Sequence, residues 1–264
     1  MPARPHDTRM LSWGARLLYV GPSFALSPHR SAIGVLCLGL DGGMRLRSWQ
    51  DDEPGAWITT RSVFVPGGLR HEIAFAARRI ACLYVDPASA DVAPIVARMA
   101  AQHGGFAVRH TDEKRLCDLM RWVLQDAPGA LARTRVAEAL DLPKAERLDP
   151  RVAAVLASLR AHPAQDASLA QLAQQVGLSP SRLRHLFRSD VGVPLKRYRI
   201  WTRIGAAMAS VRHGASLTRA AHAAGFASSA HLSAAYRAMF GFAPSSFTRL
   251  VAASRKKSAA AAPS

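Results

Sequence analysis

The chain has 264 residues, with 35 Lys and Arg against 18 Asp and Glu, and a formal net charge of +17. Hydrophobic residues make up 49% and charged ones 20%, which excludes a disordered composition and suits two modest globular domains. Three cysteines without a CxxC pair exclude a disulfide framework and a zinc finger, and no apolar run approaches the roughly 18 residues of a membrane span.

The start, MPARPHDTRM, has no apolar stretch after its basic residues, so no secretory signal is read and a soluble, cytoplasmic protein is expected. Residues 16–85 read mainly as β. LLYVG, AIGVLCLGL, SVFVPGG and RIACLYVD are short apolar runs punctuated by GPS, LDGG, DDEPG and DPAS. Strands at this spacing suggest a small barrel or sandwich. From about residue 90 the period changes. DVAPIVARMAAQ and EKRLCDLMRWVLQD place apolar residues three and four apart, as amphipathic helices do, and PGALARTRVAEALDLP reads as helical too. AERLDP marks a boundary, with Pro150 suited to the first turn of the next helix.

The charge is unevenly placed. Residues 1–150 hold 19 basic and 16 acidic side chains, whereas residues 151–264 hold 16 basic and two acidic ones, Asp166 and Asp190. That second part is the electrostatic footprint of a nucleic-acid binder. Arg255, Lys256 and Lys257 precede SAAAAPS, and 251–264 reads as a disordered basic tail.

The basic part repeats itself. Gly177 matches Gly225 at a separation of 48, and Leu183/Leu232, Phe187/Tyr236, Gly192/Gly241 and Tyr198/Phe247 match at 49. Between the copies, PLKRYRIWTRIGAAMASVRHG reads as one long helix. In the first copy Ser168 is a natural N-cap, Leu169, Leu172, Ala173 and Val176 form an apolar stripe, and Gly177 supplies a left-handed turn. Ser179 caps the following helix and Pro180 takes its first position. Leu183, Leu186 and Phe187 then face the core, and Ser181, Arg184, His185 and Arg188 face outward. A short helix, a glycine turn and a helix with a polar outer face form a reading head for the major groove.

Arg at such a face can make a bidentate contact to guanine, and Ser or neutral His can bond base edges. Ser179 suits phosphate oxygens, while Arg188, Lys196, Arg197 and Arg199 suit the DNA backbone. The second copy is less polar. Ser216 and Ser228 cap, Gly225 turns, and Leu232, Ala235, Tyr236 and Met239 or Phe240 face inward. Its outer face offers Ser229, Ala230, His231, Ser233, Ala234 and Arg237. Ala230 and Ala234 can touch a thymine methyl or allow close approach, so this head is expected to discriminate less.

With G-V-P-x3-Y after the first head and G-F-A-P-x2-F after the second, residues 149–250 resemble the AraC/XylS family of bacterial transcription regulators. The resemblance implies a monomeric, double-headed DNA-binding domain entering two successive major-groove segments. It carries base contacts onto Ser181, Arg182, Arg184 and His185, and onto Ala230, His231, Ser233 and Ala234. Position 234 is often Arg in the family and is Ala here. The fold it implies is α+β overall: a small cupin-like all-β barrel over 1–89 as sensor, a helical connector with dimerisation over 90–148, then the all-α tandem helix-turn-helix domain. Expected partners are double-stranded promoter DNA, a small-molecule effector in the N-terminal domain, RNA polymerase if the protein activates, and a second copy through the helices of 90–145. No membrane partner and no enzyme activity are expected.

PGGLRH (66–71) matches the core of the second cupin motif, with Thr60 and Phe75 in place of its leading Gly and closing Asn. Of the first motif only His29 is present, with Ser27 at its partner position and Ile33 or Gly34 where Glu belongs. Two imidazoles without a carboxylate are a poor metal site, so no metal or other cofactor is expected, and a metal-dependent cupin enzyme is the weaker alternative. The other alternative is a non-specific architectural DNA binder. Cys37, Cys82 and Cys117 read as buried structural thiols.

Overall fold

The computed structural model describes residues 8–87, 89–125, 127–143, 148–191 and 193–245. The tail 251–264, Gly192 and Phe247 lie outside the described residues. Two compact units emerge, one from the chain up to Leu142 together with Arg237 onward, the other from Pro143–Tyr236.

The strands are β1 (Arg9–Trp13), β2 (Arg16–Pro22), β3 (His29–Arg30), β4 (Gly34–Gly39), β5 (Met44–Gln50) and β6 (Glu53–Pro54). They continue as β7 (Ile58–Thr60), β8 (Ser62–Val65), β9 (Arg70–Phe75), β10 (Arg79–Val85), β11 (Met99–His103) and β12 (Phe106–His110). Helices in this unit are α1 (Val92–Ala97), α2 (Glu113–Leu124) and α3 (Gly129–Ala139).

A seven-stranded antiparallel sheet runs β1-β2-β10-β4-β8-β12-β11, and a smaller one runs β3-β9-β5-β6 with β7 also paired to β5. Residues of both sheets line one interior cavity, among them Val35, Cys37, His71, Ile73, Cys82 and Tyr84. The strand orders leave β1 and β11 as the ends of the larger sheet, so the expected barrel is not closed. The larger sheet is covered twice. Leu36, Leu38, Ala81, Leu83 and Val85 pack in one cluster with Leu116, Met120 and Val123 of α2 and Ala132 and Val136 of α3, while Cys37, Cys82 and Tyr84 face the cavity. Strands buried on both faces are continuously apolar, which explains GVLCLG and RIACLYV. β5 alternates instead, with Met44, Leu46 and Ser48 buried and Arg45, Arg47 and Trp49 facing outward.

The helical expectation over 91–102 holds only for α1. Met99–His103 is a strand, paired with β12 across Gly104 and Gly105, whose φ values are +54° and +83°. Two consecutive left-handed positions make the hairpin turn that matches the twist of paired strands. The β region therefore runs on to His110.

The second unit contains α4 (Pro150–Ala161), α5 (Leu169–Gln175), α6 (Pro180–Val191), α7 (Leu195–Arg212), α8 (Leu217–Ala223) and the start of α9 (Ser229–Phe240). Pro150 sits in the first turn of α4, and Asp149 caps it by accepting from the Arg151 N–H. Leu172, Ala173, Leu183, Phe187, Tyr198, Trp201 and Ile204 are buried. The Phe187 and Tyr198 rings meet edge to face at 5.6 Å.

Candidate nucleic-acid interface

The first head is built by local signals. Ser168 accepts from the Gln171 N–H, and the Gln171 side chain returns a bond to the Ser168 N–H. Ser-x-x-Gln is the sequence signature of this reciprocal cap. Gly177 adopts φ +66°, and the Leu178 N–H then bonds back to the Ala173 carbonyl, closing α5. The Ser179 hydroxyl accepts from the Arg182 N–H at 3.2 Å and starts α6.

Leu183 and Phe187 anchor α6 in the core. Ser181, Arg182, Arg184, His185 and Arg188 are all exposed on its other side, together with Ser179. Among the described residues neither Arg184 nor Arg188 has an ion-pair partner. The described acids of this unit are engaged elsewhere. Asp190 accepts from the Asp149 N–H at 2.9 Å. Asp149 lies 2.6 Å from Arg151, whose hydrogen bonds hold its carboxyl down at about 2. Asp166 faces Arg203 at 3.1 Å and Arg199 at 3.7 Å. Among the described residues the guanidiniums of Arg184 and Arg188 thus meet no carboxylate.

The expected backbone clamps divide. Lys196, near the start of α7, is exposed and Arg197 half-buried. Arg199 is turned inward: its guanidinium donates to the Ala167 and Gln165 carbonyls. Arg203 does the same to the Pro163 carbonyl, and Arg160 donates to the Tyr198 hydroxyl at 2.9 Å. These three cations brace the loop before α5 and the core beside it. Nothing in residue type or spacing distinguishes them from groove-facing arginines.

The second head repeats the construction. Ser216 accepts from the Arg219 N–H, Gly225 adopts φ +81°, the Phe226 N–H bonds to the Ala221 carbonyl, and Ser228 accepts from the His231 N–H. Ala230, His231, Ala234 and Arg237 are exposed, while Ser228, Ser229 and Ser233 are half-buried. The His231 ring packs edge-on against Phe226 at 5.4 Å. This surface offers fewer hydrogen-bonding groups than α6.

A helix-turn-helix family model, described as "Helix-turn-helix domain", matches residues 172–250. That match falls within the residues 149–250 that resemble the AraC/XylS regulators. The fold of the chain as a whole is similar to that of ToxT from Vibrio cholerae. The apo form of a single-substitution ToxT variant from strain SCE256 matches at 12% identity over 92% of this chain and 100% of that one, with a TM-score of 0.51. ToxT of strain O395 matches at 10% identity over 93% and 98%, also at 0.51. A DNA-binding transcriptional dual regulator from Escherichia coli K-12 matches at 21% over 42% of this chain and 99% of its own, with a TM-score of 0.38. No curated protein matches the chain.

The two histidines that match cupin-motif positions, His29 and His71, do meet. They are register partners on β3 and β9. Among the described residues no group of three or more His, Cys, Asp or Glu could hold a metal ion, and no helix is long and apolar enough to cross a membrane.

Proposed function

We propose that this regulator reads promoter DNA chiefly through α6, with α9 positioning it on the duplex, and that a small molecule bound in the first unit modulates transcription. The observation that carries the reading is the outer face of α6. It exposes Ser181, Arg182, Arg184, His185 and Arg188 over a core fixed by Leu183 and Phe187. Arg can bond guanine bidentately, and Ser and His can bond other base edges. On α9, Ala230 and Ala234 offer only methyl contact, so Arg237 and Ser228 hold phosphates and little sequence is read there.

Lys196 and Arg197 contact phosphates in this reading. Arg199 is left out of the interface, because its donors are spent on the Gln165 and Ala167 carbonyls. An effector would enter between the two sheets. The cavity there holds about 20 Å³, space for about one water, so binding requires the sheets or their covering side chains to move apart. Such a ligand acts by favouring the opened state. In this reading the protein works in the cytoplasm and, if it activates, contacts RNA polymerase.

The test is competition on DNA. Footprinting over the protein's own promoter region should give a protected site that random duplex displaces at least 1000-fold less well than that site's own duplex. Equal displacement by both would leave only an architectural, charge-driven binder.

A further inference from the structure

The two faces of the smaller sheet differ in kind. The outer one is a cation–ring array that closes on itself. Arg47 lies 4.6 Å from the Trp57 ring centre and 5.0 Å from that of Trp49, which Arg70 approaches at 5.1 Å. Glu72 and Asp52 pair with Arg47 and Arg70 at 2.8 and 2.6 Å. The inner face is different. Of the described residues that line the cavity between the sheets, none is Lys, Arg, Asp or Glu. Its walls are aromatic, with Phe24, Phe75, Tyr84 and Phe242 among them, and Phe24 meets Phe75 at 6.2 Å.

Two imidazoles stand in that wall, those of His29 and His71. Each donates its Nδ1 proton to a carbonyl, that of Ser27 or of Leu69, so each Nε2 keeps a lone pair and can only accept. Among the described residues no donor bonds to either Nε2. Burial keeps both rings from taking a second proton near neutral pH. His71 is 1% exposed, so its acceptor faces the cavity lining and not bulk solvent. Ser31, another polar group of the lining, spends its hydroxyl proton on backbone carbonyls.

This lining sorts ligands by charge and by donor. A carboxylate or phosphate would set oxygen lone pairs against nitrogen lone pairs, with no cation to hold its charge. An ammonium would donate, but no carboxylate lines the cavity to pair with it. An uncharged O–H donates to Nε2 at no such cost. A ring carrying that hydroxyl packs on the aromatic walls at tilted or edge-on angles and buries apolar area as well. The cavity holds about 20 Å³, room for a hydroxyl and not for a ring. Phe24 or Phe75, both half-buried, therefore gives way, and its contacts pass to the ligand ring.

We propose that this cavity takes an uncharged hydroxylated aromatic ring, a phenol, whose O–H donates to Nε2 of His71. The assignment rests on the reading that an effector enters between the sheets, and it names the chemistry that effector must have.

Calorimetric titration of the full chain at about pH 7.5 without DNA provides the test, with phenol, anisole, cyclohexanol and benzoate as probes. Phenol should bind at one site about tenfold or more tighter than anisole, which has the ring and no donor. It should also bind more tightly than cyclohexanol, which has the donor and no aromatic ring. Benzoate should bind about a hundredfold or more weaker than phenol, because its charge is unpaired. His71→Phe should abolish the preference for phenol over anisole and keep the affinity for anisole. In the wild type, phenol should shift the His71 Nε2 resonance in nitrogen NMR and leave Nδ1 protonated, a readout that needs no variant. Phenol that fails to bind would overturn the assignment. So would anisole, cyclohexanol or benzoate binding as tightly as phenol, or a His71→Phe variant that keeps the preference. Benzoate binding in place of phenol would overturn the ligand class and leave an effector in this unit. Phenol that binds and leaves the promoter footprint unchanged would uphold the ligand class and remove its regulatory role.

Discussion

His29 and His71 face each other across β3 and β9 with ring centroids 4.4 Å apart, and each ring bonds through Nδ1 to the carbonyl two residues before it. A carbonyl oxygen only accepts, so Nδ1 carries the proton in both neutral rings. Burial, and then the repulsion of a charged His29, push the His71 imidazole down to about 4, and burial lowers His29 as well.

The sign of the consequence follows from proton counts. Between about pH 6.5 and 4 the unfolded chain binds a proton at residue 71 that the folded chain does not. Stability therefore falls as pH drops through that window, by about 3 kcal/mol for His71 at pH 4. Chemical denaturation at pH 7.5, 5.5 and 4.5 should trace this loss. His71→Phe, which keeps a buried ring, should flatten the slope. A mutant slope equal to that of wild type would mean that His71 is already protonated in the fold.

The two turn glycines should respond differently to alanine. Gly177 has φ +66°, and an added Cβ would meet nothing within 4 Å. Gly177→Ala should then cost only the left-handed penalty of about 1–2 kcal/mol. Gly225 has φ +81°, and its Cβ would sit 2.7 Å from the Ala164 Cα and 2.9 Å from its carbonyl oxygen. Gly225→Ala must displace that backbone as well and should cost roughly 3 kcal/mol or more. Denaturation midpoints of the two variants check the ranking, and equal losses would contradict it.

These glycines belong to the part of the fold that sequence alone made legible. In α5 and α6 the apolar spacing, the serine caps, Pro180 and Gly177 all act within a few residues, so each can be read without knowing the tertiary structure. Met99–His103 could not be read this way. Ala100 and Ala101 favour helix, and only pairing with β12 makes the segment a strand; the Gly104–Gly105 dipeptide was the available signal. Arg199 was illegible for a different reason. Its charge is the same whether it faces a phosphate or the Ala167 carbonyl, and which it faces depends on a loop more than thirty residues earlier. The cation–ring array of β5 was missed because Arg45, Arg47, Trp49, Trp57 and Arg70 converge only through strand register.

Cys37 and Cys82 should be inert in the native protein. The Leu40 N–H bonds to the Arg79 carbonyl, so by register Cys37 and Cys82 form a non-hydrogen-bonded pair, where side chains approach most closely. Their sulfurs lie 3.4 Å apart and both are buried. The bond to Cys37 and burial push the Cys82 thiol up, and burial does the same to Cys117. Thiolate is the reactive form. An aromatic disulfide reagent at pH 8 should therefore titrate fewer than one thiol per chain in buffer, against all three in denaturant. Rapid modification of two thiols in buffer would place this pair in contact with solvent.

Alanine substitution should separate three cations that composition treats alike. Arg184 is exposed on α6 without a carboxylate partner among the described residues, so Arg184→Ala should leave the melting temperature unchanged and weaken specific duplex by about 1–3 kcal/mol, relaxing preference at one base pair. Lys196 is exposed near the start of α7; its loss should weaken cognate and random duplex alike and lower the salt slope by about one. Arg199 is committed to the Gln165 and Ala167 carbonyls and to Asp166. Arg199→Ala should lower the melting temperature and leave the salt slope of the folded protein unchanged. Melting curves and duplex titrations at two salt concentrations distinguish the three. An Arg184→Ala variant that loses cognate and random affinity equally would assign that side chain to phosphate. A fall in the salt slope for Arg199→Ala would return Arg199 to the DNA backbone.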